Sequence, residues 1–375
     1  MSEKESNMAD KVKIGIIGVG QIGKGHVNRY LEIPGAEIVA VADINKEEAK
    51  RVGEQAHAKH VFTSFRDLLK VDEIQAVDVC LHNNLHAPVS IAAMEADKHV
   101  YCEKPLAGTC ADAKAMIEAR ERTHKMLLMQ LSSVFSKETK SAKRLIDEGH
   151  LGKLYYAKSS NYRRRGRPYV DGYGTSNFVQ KKIAAGGALL DMGVYSISQV
   201  LHLLGNPDVL TVSGATHQEV AMYEDRRKSG AYDVEELAIG LVRLAGGITF
   251  FVEEAWAINL GGTDGSKVVG SKGGISLNPF AYHTTTADME MDGKFDLDAA
   301  DTRWHRCQEN FGGFDSPQHH WVAALLGRVK LIDTAALGLN MMKLAEGIYL
   351  SKQLGREVTA REVEDKSVSM AVKNL

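Results

Sequence analysis

From Lys11 to about residue 130, short apolar runs alternate with stretches whose apolar residues recur at helical spacing. VKIGIIG, residues 12–18, and IVAVAD, residues 38–43, read as buried strands because β-branched residues dominate both. Residues 21–31 fit a helix that Pro34 and Gly35 stop, and Asn45, three residues before Glu48, predicts a capping box opening a helix over 46–56. Further strands are expected at AVDVC (76–80), KHVYC (98–102) and KMLLMQ (125–130), with an alanine-rich helix over 87–96 between the first two. Thr109 and Asp112 can cap the next helix, whose apolar positions include Met116 and Ile117. Strand and helix in turn, joined by short connections, predict a mostly parallel sheet covered by helices.

The pattern then changes. A helix over 137–148 ends at Gly149, and a strand begins at 153. LAIGLVRLAGGITFFVEEAWAI, residues 237–258, reads as two long strands joined through Ala245–Gly247, and SKVVGSKGGISL and DMEMDGKFDL repeat short extended runs between glycines. Helical spacing returns at 317–326 and at 334–352, where Leu337, Met341, Leu344 and Ile348 share a face. The fold class is therefore α/β: a Rossmann domain over 1–130, then an α/β domain over 131–375 holding a large, mostly antiparallel open sheet. Its last helices are expected to return onto the first domain. No ordering pattern is read in the first ten or so residues or in the last ten.

A chain of 375 residues suits two such cores. A hydrophobic content of 44% against 25% charged residues and seven prolines describes an ordinary folded protein. The net charge of −2 gives no general pull toward nucleic acid or an anionic membrane, and neither partner is expected. The four cysteines have no paired ligand spacing and no secreted framework, so no metal is expected and a reducing cytoplasm is the simplest location. No leader is evident in MSEKESNMADKVKIG, and no run of about 18 apolar residues follows.

Gly18, Gly20 and Gly23 form G-x-G-x-x-G between a strand and a helix. They allow a tight turn, close approach of a pyrophosphate and close helix packing, and the helix opening at Gln21 and Ile22 offers unpaired N–H groups to phosphate oxygens. Asp43 ends the second strand twenty residues after Gly23, where a carboxylate accepts ribose hydroxyls and repels a 2′-phosphate. NAD is thus favoured, with NADP the alternative. A cap on a strand-to-helix turn is the plainer account of Asp43. Lys104, in EKPLAG after the strand KHVYC, stands where open α/β sheets gather ligands, although a lone loop lysine is usually only solvated. In AAGGALLDMGVYSISQVLHLLG, Asp191 and Tyr195 are four residues apart on one edge of an apolar helix face, as a cleft wall or as ordinary cap and packing.

GVGQIG at 18–23, EKP at 103–105 and GGALLDMGVY at 186–195, in that order, resemble the Gfo/Idh/MocA family of NAD(P)-dependent oxidoreductases, which includes glucose–fructose oxidoreductase and inositol dehydrogenases. The resemblance spans nearly the whole chain. It implies hydride transfer between nicotinamide and a secondary alcohol or ketone of a sugar, sugar derivative or cyclitol, in a homodimer or homotetramer joined through the broad sheet. By the same resemblance Lys104 matches the active-site lysine, Asp191 the substrate-pocket aspartate, and Tyr195 a position held by histidine or tyrosine. Glu103 joins Lys104 beside the cofactor. LHNNLH at 81–86 keeps Asn83 and His86 of the family's TPN-x-x-H pattern but departs from it at Leu81 and His82. The competing class is a catalytically inactive nucleotide-dependent sensor on this fold, against which the three retained groups argue.

For the chemistry, Lys104 would stabilise an alkoxide, Asp191 would orient a hydroxyl or the lysine, and Tyr195 is the preferred acid/base. A tyrosine brought from about 10 to about 7 needs roughly 4 kcal/mol of phenolate stabilisation, with Lys104 as one source. In the alternative, Lys104 exchanges the proton and Tyr195 only hydrogen-bonds. The run SNYRRRGRPYVDGYG, 160–174, offers Arg163 and Arg165 to substrate, or else an ion-pair network. Trp304, His305, His319, His320 and Trp321 read as helix-edge packing.

Overall fold

The computed structural model describes residues 11–309, 312–373 and 375. Its first sheet has six parallel strands, β1 (Val12–Ile17), β2 (Ala36–Ala42), β3 (His60–Phe62), β4 (Ala76–Val79), β5 (His99–Cys102) and β6 (Leu127–Met129), in the order β3-β2-β1-β4-β5-β6. The helices α1 (Gln21–Leu31), α2 (Lys46–Gln55), α3 (Phe65–Leu69), α4 (Asn83–Glu95) and α5 (Cys110–Thr123) connect them. Strand order reverses between β1 and β4. A crevice therefore opens beyond their carboxyl ends, the usual ligand position in such sheets.

Two local expectations change. The helix expected over 87–96 starts at Asn83, four residues earlier, with Pro88 inside it. Asn45 caps α2 by accepting the Glu48 N–H at 3.2 Å, but the reciprocal half of the box is missing. Asp43 takes the Asn45 N–H instead, at 2.8 Å, while Glu48 pairs with Arg51 and Lys24.

After α6 (Lys137–Asp147) the chain builds β7 (Leu154–Tyr162), α7 (Lys181–Ala184), α8 (Ala188–Asp191), α9 (Gly193–Leu203), β8 (Val209–His217) and α10 (Glu224–Gly230). Strands β9 (Leu237–Leu244), β10 (Ile248–Ala255), β11 (Lys267–Gly270), β12 (Gly273–Leu277), β13 (Phe280–Thr286) and β14 (Met289–Gly293) follow. The chain then runs through α11 (Leu297–Cys307), α12 (Pro317–Leu325), α13 (Thr334–Leu354), β15 (Val358–Thr359) and α14 (Ala360–Lys366). The second sheet has nine strands in the order β14-β13-β12-β11-β7-β10-β9-β8-β15. Only the β7–β10 neighbours run parallel. The expected hairpin is present, its turn at Gly246 and Gly247 taking φ of 79° and 77°.

The inner face of this sheet packs on α9 and α13, and α13 also reaches α5 and β6 of the first sheet. Thr334 fixes that return: its hydroxyl accepts the Met129 N–H at 3.0 Å and donates to the Met129 carbonyl at 2.7 Å. A side chain at Gly338 would strike Leu106, so the bare backbone lets α13 lie against the segment that carries Lys104. The chain's end is ordered by the first unit, with Ser367 accepting the Ala111 N–H and the Met370 N–H donating to Asp112. Residues 1–10, where no pattern was read, lie outside the described residues.

Glu254 on β10 is fully buried beneath α9. Its Oε1 accepts the Ser196 hydroxyl at 2.6 Å and the Ser159 hydroxyl, while Oε2 has no partner among the described residues. Burial pushes this carboxyl up to about 8, so it is protonated in the folded chain at neutral pH and ionised in the unfolded one. The folded state then binds the extra proton, and stability contributed at low pH is lost as pH rises from the ordinary carboxyl value toward 8. We expect the melting temperature to fall over that window, and the fall to be smaller in Glu254→Gln. Parallel calorimetric pH series on both proteins check this; identical slopes would place the dependence elsewhere.

Candidate active site

Each glycine of the turn does separate work. Gly18 has φ of 90°, and a side chain there would strike the Cys80 carbonyl. One at Gly23 would strike the Gly18 carbonyl, while one at Gly20 would enter open space. Gly20 heads α1 without a side-chain cap, and the first intrahelical bond is from Lys24 N–H to its carbonyl at 3.0 Å. The N–H groups of Gln21, Ile22 and Gly23 are thus left without helical acceptors beside a clear surface, the arrangement a pyrophosphate fits. Asp43 holds the turn from behind, accepting the Val19 N–H at 2.8 Å as well as that of Asn45. Each carboxylate oxygen keeps a second lone pair for a ribose hydroxyl, so capping and ligand roles coexist.

Lys104 follows β5, and Asp191 ends α8, from opposite halves of the chain. The lysine Nζ lies 2.9 Å from both the Asp191 carboxylate and the Asp191 carbonyl, the two side chains being 15% and 22% exposed. Burial opposes the ammonium, but Asp191 outweighs it and holds Lys104 above its ordinary value. Burial likewise opposes the carboxylate, but Lys104, with help from Trp256 and Arg163, keeps Asp191 below the usual range. The fully buried Trp256 donates to the other Asp191 oxygen at 3.0 Å. The Lys104 ammonium also stands 5.0 Å from the centre of the half-buried Tyr195 ring.

Tyr195 shares these surroundings. Burial pushes its phenol up, and the lowering by Lys104 does not offset it. In the nucleotide-free protein the tyrosine is therefore a proton holder, not a base tuned toward neutrality.

The residues expected around a nicotinamide divide into two groups. Glu103 is buried, with Oε1 3.0 Å from His26 Nε2 and Oε2 accepting the Lys104 backbone N–H at 2.9 Å. His86 is wholly enclosed between the carbonyls of Pro105, at 2.7 Å, and Leu81, at 3.0 Å; it braces two loops and has no surface to offer a ligand. Asn83 donates to the Ala184 carbonyl at 2.8 Å, tying the first turn of α4 to the segment before α8.

The arginine run splits. Arg163 donates to the Tyr173 hydroxyl at 2.7 Å and helps hold Asp191 ionised, so it belongs to this corner. Arg165 stacks 5.4 Å from the Tyr223 ring and lies 3.8 Å from Asp171, half exposed. Arg167 is wholly buried between Asp171 and Glu236, an internal anchor. His320, enclosed between the Gly313 carbonyl and the Ile332 N–H, packs as expected.

His26 and Trp256 are additions that the sequence reading missed. His26 had a signal, standing three residues past Gly23 in the helix that opens on the turn. Trp256 had none, because only the sheet brings β10 beside α8.

A family model described as an oxidoreductase family with an NAD-binding Rossmann fold matches residues 12–131, and one described as the GFO/IDH/MocA C-terminal domain matches residues 139–276. D-glucoside 3-dehydrogenase of Escherichia coli (strain K12) is 26% identical over 364 residues, covering 95% of this chain and 99% of the relative. Inositol 2-dehydrogenase of Salmonella typhimurium (strain LT2) is 28% identical over 269 residues, 71% of this chain and 74% of the relative. The solved structure of a levoglucosan dehydrogenase complex with NADH and levoglucosan superposes with a TM-score of 0.78 at 21% identity, covering 94% of this chain and all of that one, a likeness of fold.

Breaking the central pair tests the geometry directly. Asp191→Ala leaves the Lys104 ammonium facing only a carbonyl, and a loss of about 2 kcal/mol is expected, since unpairing a mostly buried charge is costly. Urea unfolding at neutral pH measures it; unchanged stability would show that the pair does not form in solution.

Proposed function

The chain belongs to the Gfo/Idh/MocA oxidoreductase family, and from that membership we propose that it is an NAD-dependent dehydrogenase acting on a secondary hydroxyl of a sugar, sugar derivative or cyclitol. The observation that carries the reading is the Lys104–Asp191 pair beyond the carboxyl end of β5, in the crevice that the glycine turn also borders. The relatives named D-glucoside 3-dehydrogenase and inositol 2-dehydrogenase support the substrate class.

Bound nicotinamide supplies the hydride acceptor or donor. The turn from Gly18 to Gly23, with Asp43, would hold the nucleotide, and Asp43 favours NAD over NADP through repulsion of a 2′-phosphate. Lys104 is the group that exchanges the proton. It carries an ammonium at neutral pH, so in reduction Nζ gives a proton to the carbonyl oxygen of the substrate; in oxidation it takes the hydroxyl proton after first losing its own. Tyr195 keeps its phenolic proton and donates a hydrogen bond to the substrate oxygen. Asp191 retains the ammonium in place and accepts from a neighbouring hydroxyl, and Arg163 with Tyr173 bounds the far side of the sugar. Holding these groups ready converts an encounter into an oriented step.

Assembly and location form part of the proposal. Leu241 and Phe251 are cross-strand partners on the face of the second sheet away from α13, and Leu241 is 43% exposed. That apolar strip suits a homo-oligomer contact. All four cysteines are free, as a reducing cytoplasm would keep them. Among the described residues no helix is long and apolar enough to cross a membrane.

Absorbance at 340 nm with NAD or NADP and a panel of sugars and cyclitols tests the function. Turnover is expected with NAD in preference to NADP, and the oxidative rate should climb with pH through the alkaline range, because the base must shed a tightly held proton. Lys104→Met should lose about 10³-fold in kcat while still binding nucleotide. Tyr195→Phe should lose about tenfold, the value of one hydrogen bond. A Lys104→Met protein that turns over normally would remove the lysine from the chemistry, and better use of NADP would overturn the role given to Asp43.

A further inference from the structure

Beneath the Lys104 loop, four polar side chains from three elements meet in a cluster to which the mechanism assigns no step. His26 stands on α1 at 6% exposure, Asp78 on β4 at 0%, Cys80 just past β4, and Glu103 just past β5 at 8%. The imidazole Nδ1 is 2.8 Å from Asp78 Oδ2 and Nε2 is 3.0 Å from Glu103 Oε1, so each ring nitrogen faces a carboxylate. A neutral ring has one N–H and would press a bare lone pair against the other oxygen, whereas the protonated ring donates at both ends. Burial opposes that charge, but Asp78 leads the groups that hold His26 well above its ordinary value. The Cys80 thiol donates to the other Asp78 oxygen at 3.1 Å, and Tyr101 packs edge-on, 5.7 Å from the imidazole.

The ligand atoms of His26, Asp78 and Cys80 lie within 4.8 Å of one another, as metal ligands would. Burial nevertheless pushes the thiol well up, so it keeps its proton, and each of the three side chains already has hydrogen-bond partners inside the cluster. The connectivity points to another use. One end of the cluster is α1, whose first turn borders the surface a pyrophosphate fits. The other end is Glu103, whose free oxygen accepts the backbone N–H of Lys104 at 2.9 Å.

We propose that His26 is a positioning residue that couples occupancy of the glycine turn to the placement of the Lys104 ammonium, through Glu103 and the Lys104 backbone. The lysine is then set for reaction only when a nucleotide is seated. The proposal rests on the dehydrogenase reading for the role of Lys104, but the coupling is a property of the protein without substrate.

ADP-ribose tests it, because this fragment fills the turn and lacks the nicotinamide that would touch Lys104 directly. Competitive acetylation of the full chain, read by peptide mass spectrometry with surface lysines as reference, reports the reactivity of Lys104. In the unmodified protein, saturating ADP-ribose is expected to change that rate at least about threefold, a shift worth under 1 kcal/mol in the lysine's environment. In His26→Gln, ADP-ribose should still bind by calorimetry while the change in Lys104 reactivity disappears. Should His26→Gln not fold, Glu103→Gln gives the same comparison, since it keeps an acceptor for the backbone N–H and removes the charge facing the imidazole. An equal response in wild type and variant, or none in wild type, overturns the coupling. Failure of the dehydrogenase reading appears separately, as no change in absorbance at 340 nm with NAD or NADP across the panel of sugars and cyclitols, and leaves this readout intact.

Discussion

An ammonium removed from water at the end of a parallel sheet needs an anion, and here that anion comes from the other half of the chain. Lys104 is delivered by β5, Asp191 by the short helix α8, and the 2.9 Å contact between them forms only when both sheets and the intervening helices are in register. An unpaired charge of either sign would be costly at this depth. The pair therefore both fixes the geometry of the corner and requires the remaining structure to hold it. Trp256 donates to the second Asp191 oxygen, Thr334 and Gly338 bring α13 against the lysine segment, and Glu254 pins α9 beneath Tyr195.

Protonation states follow from that arrangement rather than from residue type. Lysine and aspartate stabilise each other's charge, so both are ionised despite burial. Tyr195 receives less help: the same ammonium lies over its ring, but the enclosing protein and the nearby carboxylates Glu103 and Asp191 act against a phenolate. Both groups therefore hold their protons at neutral pH in the nucleotide-free protein. A positive nicotinamide ring would lower both groups, by repelling the ammonium and by attracting a phenolate, which favours the deprotonated form that a base in alcohol oxidation must take.

Much of the first sheet was legible because its strands are nearly continuous apolar runs with glycine, asparagine or threonine at the helix openings, and such local signals need no tertiary information. The glycine turn and Asp43 were legible for the same reason, whereas Lys104, by itself an ordinary loop lysine, was singled out through the family resemblance. Misreadings came where distant groups intervened. The helix read as opening at residue 87 starts at Asn83, and Glu48 could not complete its box because Asp43 had already taken the Asn45 N–H. In the arginine run, three residues of one type separate by environment alone: Arg163 beside Asp191, Arg165 over Tyr223, Arg167 sealed against Glu236. No spacing rule distinguishes them.

The buried histidine shows why a catalytic corner of this kind is built deep rather than at the surface. An imidazolium between Asp78 and Glu103 contributes one positive charge against two negative ones; with Lys104, Asp191 and Arg163 added, positive and negative groups balance. Screening by solvent is weak at this depth, so each of these charges acts on all the others. The cations are held in place by the anions around them, and removing any one charge is felt by the whole cluster.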